Sequence, residues 1–86
     1  MSIRYGYVVE QSVLQAFLGL NKREREQLLR MLSDLADSPS QKGDYRQKSA
    51  SGREIEVKRC GRWLISFWPD HPVCELRVVD IVRVVP

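Results

Sequence analysis

The sequence predicts a two-layer α+β domain, a helical hairpin packed on an antiparallel sheet in the order β-α-α-β-β-β. Three observations carry that expectation. Leucines recur at helical spacing through residues 12–37, with one break at Gly19-Leu20-Asn21. Residues 53–59 alternate apolar with polar, and 62–68 are apolar on both faces, about a Cys60-Gly61 turn. A last run, 73–85, is rich in Val. With 86 residues the chain has room for one core, so 1–86 is read as a single domain.

Each element has its own signal. Ile3 to Val9 alternates weakly and is rich in Tyr and Val, as a first strand would be. Ser12 is a favoured cap for a short helix carrying Val13, Leu14, Phe17 and Leu18, which Gly19 ends. Asn21 with Glu24 three positions on forms a capping box for the main helix. Leu28, Leu29, Leu32, Leu35 and Ala36 define its apolar face, and Ser38-Pro39 stops it. Residues 38–52 are polar, rich in Ser and Gly, and read as a long loop. In Arg53–Arg59, Ile55 and Val57 share one face, and Glu54, Glu56 and Lys58 the other. Arg62 to Trp68 reads as a central strand, Pro69-Asp70-His71-Pro72 as a turn, and Val73 to Val85 as a long final strand.

Composition limits the function. No apolar run approaches the ~18 residues of a membrane span, and the N-terminus lacks a signal peptide's apolar core. A cytoplasmic protein is expected. Cys60 and Cys74 lie beyond opposite ends of one proposed strand, roughly 20 Å apart at ~3.3 Å per residue, too far for a disulfide. Free thiols are expected. One His and two separated Cys give no metal-ligand spacing, so neither metal nor cofactor is expected. The net charge is +3, and its excess sits in one region. Residues 38–62 set seven cations (Lys42, Arg46, Lys48, Arg53, Lys58, Arg59, Arg62) against three carboxylates (Asp44, Glu54, Glu56). Such a patch suits an anionic partner, either a nucleic acid or an acidic protein segment.

This order of elements resembles the RelE/ParE superfamily of type II toxin–antitoxin toxins. The resemblance rests on the hairpin Phe17–Pro39, the strand pair about Gly61, and Leu76-Arg-Val-Val-Asp-Ile81. It implies a cognate antitoxin as partner. For RelE-like members it implies cleavage of mRNA in the ribosomal A site, with the ribose 2′-OH as nucleophile. Side chains then remove its proton, neutralise the phosphate and protonate the leaving oxygen. ParE-like members share the fold and poison DNA gyrase instead.

Carried over residue by residue, the resemblance makes Lys58, Arg62, Arg77 and Arg83 the candidate catalytic cations. Tyr45, Arg46, Lys48 and Arg53 are the candidate RNA-binding residues, because an aromatic beside cations stacks a base and holds phosphate. The sequence departs from the pattern in four places. Glu54 and Glu56 stand where RelE carries lysines, either as acid–base groups or as cross-strand partners of cations. Arg62 precedes Trp63 where an Arg is expected inside the strand. Asp80 takes the position of a His. The sequence ends at Pro86, where RelE has a tail bearing a Tyr. The expected function is thus a toxin acting as a ribosome-dependent mRNA endoribonuclease. The alternatives are a gyrase inhibitor or other non-nuclease protein-binding toxin, or an inactive structural relative.

Overall fold

Two helices cover one face of a five-stranded sheet in a computed structural model that describes residues 4–84. The elements are β1 (Gly6–Val9), α1 (Gln11–Leu18), α2 (Lys22–Asp37), β2 (Tyr45–Lys48), β3 (Glu54–Cys60), β4 (Trp63–Asp70) and β5 (Glu75–Arg83). A short 3₁₀ turn, His71–Val73, joins β4 to β5. The strand order is β1-β5-β4-β3-β2, with β4 central as expected.

The α+β class and the helical hairpin agree with the sequence, and the sheet differs in two ways. It is mixed, because β1 runs parallel to β5 while the other pairs are antiparallel. It also has a strand, β2, within the stretch read as a loop, so Tyr45, Arg46 and Lys48 are strand residues. All four β2 residues are exposed and none gives an apolar alternation, so only pairing with β3 makes this an edge strand.

The main helix forms as its sequence dictates. The Asn21 side chain accepts the Glu24 backbone N–H at 2.8 Å, and Glu24 accepts the Asn21 N–H in return. The box satisfies two of the amides that a helix start leaves open. Leu28, Leu32, Leu35 and Ala36 are buried, while Leu29 stands exposed beside them. The shorter helix starts two residues earlier than Ser12 suggests: Glu10 is its N-cap, and the Glu10 carbonyl takes the Val13 and Leu14 amides. Gly19 ends it as expected. The first strand is shorter than Ile3 to Val9, and Ile3 lies outside the described residues.

The core lies between helices and sheet. Val13 and the α2 leucines meet Trp63, Ile65, Phe67, Leu76, Val78 and Ile81. Strict alternation along β5 would carry Leu76, Val78 and then Asp80 inward. A register shift opposite Ser66 and Phe67 prevents it: Phe67 pairs with Val78, Ser66 with Asp80, and Val79 is the extra residue. This bulge turns Asp80 out and brings Ile81 in. Pro69 and Asp70, expected in a turn, are the last residues of β4, and the final strand runs from Glu75 rather than Val73. The β3–β4 loop is Gly61-Arg62 rather than Cys60-Gly61, since Cys60 pairs with Trp63. Gly61 takes a φ of 61°, as the first position of a Gly-X hairpin loop requires. Arg62 is therefore a loop residue and not the start of a strand.

The connection from α2 to β2 is strapped down. Gly43 donates its N–H to Glu56 at 2.9 Å, Asp44 N–H reaches the Val57 carbonyl at 2.8 Å, and the Asp44 carboxylate receives the Arg59 N–H at 2.8 Å. A Cβ on Gly43 would lie 2.4 Å from the Val57 carbonyl oxygen. Gly43→Ala should therefore cost about 1–3 kcal/mol of stability by overpacking. Gly19→Ala, whose Cβ meets nothing within 4 Å, should change it by less than about 0.5 kcal/mol. Urea unfolding of the two variants measures the difference.

Candidate functional site

Partners directly opposite in an antiparallel pair share a face of the sheet. Trp63, Ile65 and Phe67 point at the helices, and they pair with Cys60, Lys58 and Glu56. So Glu56 and Lys58 lie on the helix side. Ile55 and Val57, the apolar face of the alternation, lie on the other. Val57 is nonetheless buried, in register with Tyr45 and Ser66 and outside the helix-side core. Alternation separates two faces but does not say which one meets a helix.

That placement creates a seam between α2 and the β3–β4 hairpin. The α2 side chains beside the buried leucine row face it: Glu24 and Gln27, then Met31 and Asp34 one and two turns on, with Leu35 of the row itself at the end. Near the helix N-terminus the seam opens into a hollow of about 650 Å³ holding Arg23, Glu24, Arg62, Trp63 and Arg83. The next hollow, about 340 Å³, holds Asp34, Gln41, Lys58 and Cys60. Since Gln27 and Met31 are one helical turn apart and Cys60 pairs with Trp63, the two hollows follow one another along the seam.

Within it, Arg83 Nη2 donates to Glu24 Oε2 at 2.9 Å, and its guanidinium lies 5.6 Å from the Trp63 ring centre. Lys58 Nζ donates to Gln41 Oε1 at 2.5 Å, and the Gln41 amide in turn donates to the Leu35 carbonyl at the end of α2. Burial pushes the Cys60 thiol up, against the lowering effect of Lys58 and with a further rise from Asp44. Burial thus favours the neutral thiol of Cys60 over its thiolate.

Of the four candidate catalytic residues, Lys58, Arg62 and Arg83 line the seam, and Arg77 does not. In register with Trp68, Arg77 lies on the opposite face. Its Nε reaches Asp70 at 3.0 Å and its Nη2 lies 3.7 Å from Glu75. The RNA-binding candidates are split likewise. Arg53 stacks 3.6 Å over Trp68 on that opposite face, which Tyr45 shares through its pairing with Val57. Arg46 and Lys48 lie on the helix side, opposite Glu56 and Glu54. Arg46 Nε meets Glu56 at 2.8 Å, and its Nη1 lies 3.6 Å from Glu54. Of the two roles open to Glu54 and Glu56, the cross-strand pairing with a cation is the one formed. Lys48 is exposed on the edge strand.

His71 sits in the 3₁₀ turn, its Nδ1 2.5 Å from the Tyr5 hydroxyl. Cys60 and Cys74 are free thiols, as expected. Among the described residues no three His, Cys, Asp or Glu converge as metal ligands would, and no helix is long and apolar enough to cross a membrane. Sequence reasoning missed the α2 side of the seam, above all Arg23, Glu24, Asp34 and Gln41. The signal for the helical members was the stripe 24, 27, 31, 34 flanking the leucine row.

Comparison with known proteins places the fold. No family model matches the chain, and no curated protein is significantly similar to it in sequence. Solved structures are similar in shape. The RelBE2 toxin–antitoxin complex of Mycobacterium tuberculosis contains a chain that matches at a TM-score of 0.76 and 12% identity, over 94% of this chain and 99% of that one. A chain of the RelE–RelB complex of Pyrococcus horikoshii OT3 matches at 0.68 and 14%, over 94% and 96%. The isolated RelE toxin of E. coli matches at 0.64 and 17%, over 95% and 86%. The chain therefore has the fold of the RelE toxins, as the order of its elements implied.

The raised Cys60 thiol generates a prediction. Alkylation of Cys60 by iodoacetamide should be slow at neutral pH and keep accelerating above pH ~9, the ordinary thiol range. Peptide mapping of the labelled protein across pH reads the rate at Cys60 separately from that at Cys74.

Proposed function

We propose that this chain is the toxin of a type II toxin–antitoxin pair, and that it cleaves mRNA on the ribosome through the seam between α2 and the β3–β4 hairpin. The observation that carries the reading is the alignment of Lys58, Arg62 and Arg83 along that seam in a chain with the fold of RelE. Arg62 and Arg83, two of the three arginines in one hollow, suit a phosphate whose charge grows during attack by the neighbouring 2′-OH. Lys58, in the next hollow, would donate a proton to the departing 5′-oxygen, while the proton of the attacking 2′-OH passes to solvent water. Bond breaking then leaves a cyclic phosphate on one fragment and a hydroxyl on the other. Arg77 has no part in this scheme, and its contacts with Asp70 and Glu75 give it a structural role.

A cognate antitoxin follows from the same reading. It would cover the basic seam with a segment carrying acidic side chains, and the pair would act in the cytoplasm. A second reading, a toxin that binds a protein such as gyrase without cleaving RNA, is favoured by the pairing of Arg83 with Glu24 and of Arg46 with Glu54 and Glu56. Those carboxylates reduce the positive field that a polyanion would meet.

Primer extension on a defined mRNA, with and without programmed ribosomes, separates the two. The nuclease reading expects cuts that depend on ribosomes. Lys58→Gln should slow them by about 10²–10⁴-fold and Arg83→Gln by about 10²–10³-fold, with both variants folded by circular dichroism. Arg77→Gln should leave the rate within a few-fold of the parent and lower the melting temperature instead. Intact mRNA alongside growth arrest and gyrase-dependent DNA breaks would replace this reading with the second.

A further inference from the structure

We propose that Glu24 is a positioning residue for Arg83: its carboxylate aims the guanidinium into the seam and cancels its charge until a substrate phosphate displaces it. The inference rests on the nuclease reading above and adds to it a residue from the helix side. Glu24 is fixed by the capping box, with Oε1 taking the Asn21 N–H at 3.4 Å and Oε2 taking Arg83 at 2.9 Å. One carboxylate thus closes the start of α2 and holds the end of β5, across 59 residues of sequence. The Arg83 side chain is 49% exposed and that of Glu24 27%. Water and salt screen such a pair, so it is weak enough for a phosphate to compete with.

The same geometry sets what can displace it. A single anion gains Arg83 only by taking it from Glu24, and then lies against that carboxylate. A chain of phosphates meets Arg23 and Arg62 in the same hollow and recovers the loss there. Glu24 therefore favours polymers over small anions. It also keeps Arg83 in one direction when the hollow is empty, which spares the ordering of a long side chain on binding.

Glu24→Gln tests the idea, because Gln at this position preserves a capping box while removing the charge. A short fluorescein-labelled single-stranded RNA, followed by anisotropy across salt, is the probe. Compared are the parent, E24Q, R83Q and the double variant. The expected result is a gain of about three- to tenfold in affinity for E24Q at low salt, with the salt slope steeper by about 0.7. The gain should vanish in the R83Q background. In the ribosome assay E24Q should lower KM and kcat together, a split that loss of a helix cap alone would not give. An equal gain without Arg83 would overturn the proposal, as would no gain in an E24Q protein with the parent's melting temperature. Retention on heparin repeats the cycle with an anion that is no nuclease substrate. If wild-type protein leaves ribosomal mRNA intact, the nuclease reading falls, and the heparin comparison still decides whether Glu24 holds Arg83.

Discussion

The two-residue Gly61-Arg62 loop is the constraint on which the arrangement depends. It pairs even positions of β3 with odd positions of β4. Once Trp63, Ile65 and Phe67 enter the core, Glu56, Lys58 and Cys60 must lie on the helix side too. A loop of one residue more or fewer would reverse every β3 side chain. Lys58 would then leave the seam, and Val57 would face the α2 leucines. The positive φ of Gly61 makes this loop length possible, so one backbone position sets which face of a seven-residue strand meets the helices.

The second requirement falls on α2. Its buried leucines dock it on the sheet, and its flanking stripe then defines the other wall of the seam. Glu24 stands where local and long-range demands meet. The capping box needs a carboxylate or amide there, and Arg83 needs a carboxylate. The Gly43 strap does a similar service at the far end. By fixing Gln41 and Glu56 it determines where Lys58 and Arg46 can reach. The cations of the seam are thus held by groups from the helix and the loop after it, and not by the sheet alone.

How much of this was legible depends on the range of the signal. The hairpin of helices was, because its caps and leucine period act within a few residues. The capping box formed as Asn21 and Glu24 indicated, and Gly19 ended α1. The edge strand β2 was not, because Tyr-Arg-Gln-Lys has no apolar alternation and becomes a strand only by pairing with β3. The inward face of β3 was not legible for a related reason. Ile55 and Val57 look like core, yet β4 is apolar on both faces and offers either one. Ser66, the polar residue amid that run, marks the open side. Moving the turn from Cys60-Gly61 to Gly61-Arg62 leaves the parity unchanged, so Ser66 and a two-residue loop together would have been enough.

The basic patch shows where charge counting stops being informative. Residues 38–62 hold an excess of cations, but a cation's value to an anion depends on what already holds it. Arg46 lies between two carboxylates, Arg53 stacks on Trp68, and Arg59 Nε donates to the Gly61 carbonyl. Distances of 2.8 to 3.6 Å commit these groups to the protein itself. Lys58 is bonded to a neutral amide rather than to a carboxylate, and Arg62 shares its hollow with Arg23. The seam therefore concentrates usable charge where the sequence shows only two of its cations among seven in that stretch. Arg83, from the chain's last strand, joins them through folding alone. A phosphate chain running along α2 would meet three elements that the sequence keeps far apart. The fold supplies that convergence, and the carboxylate of Glu24 moderates it.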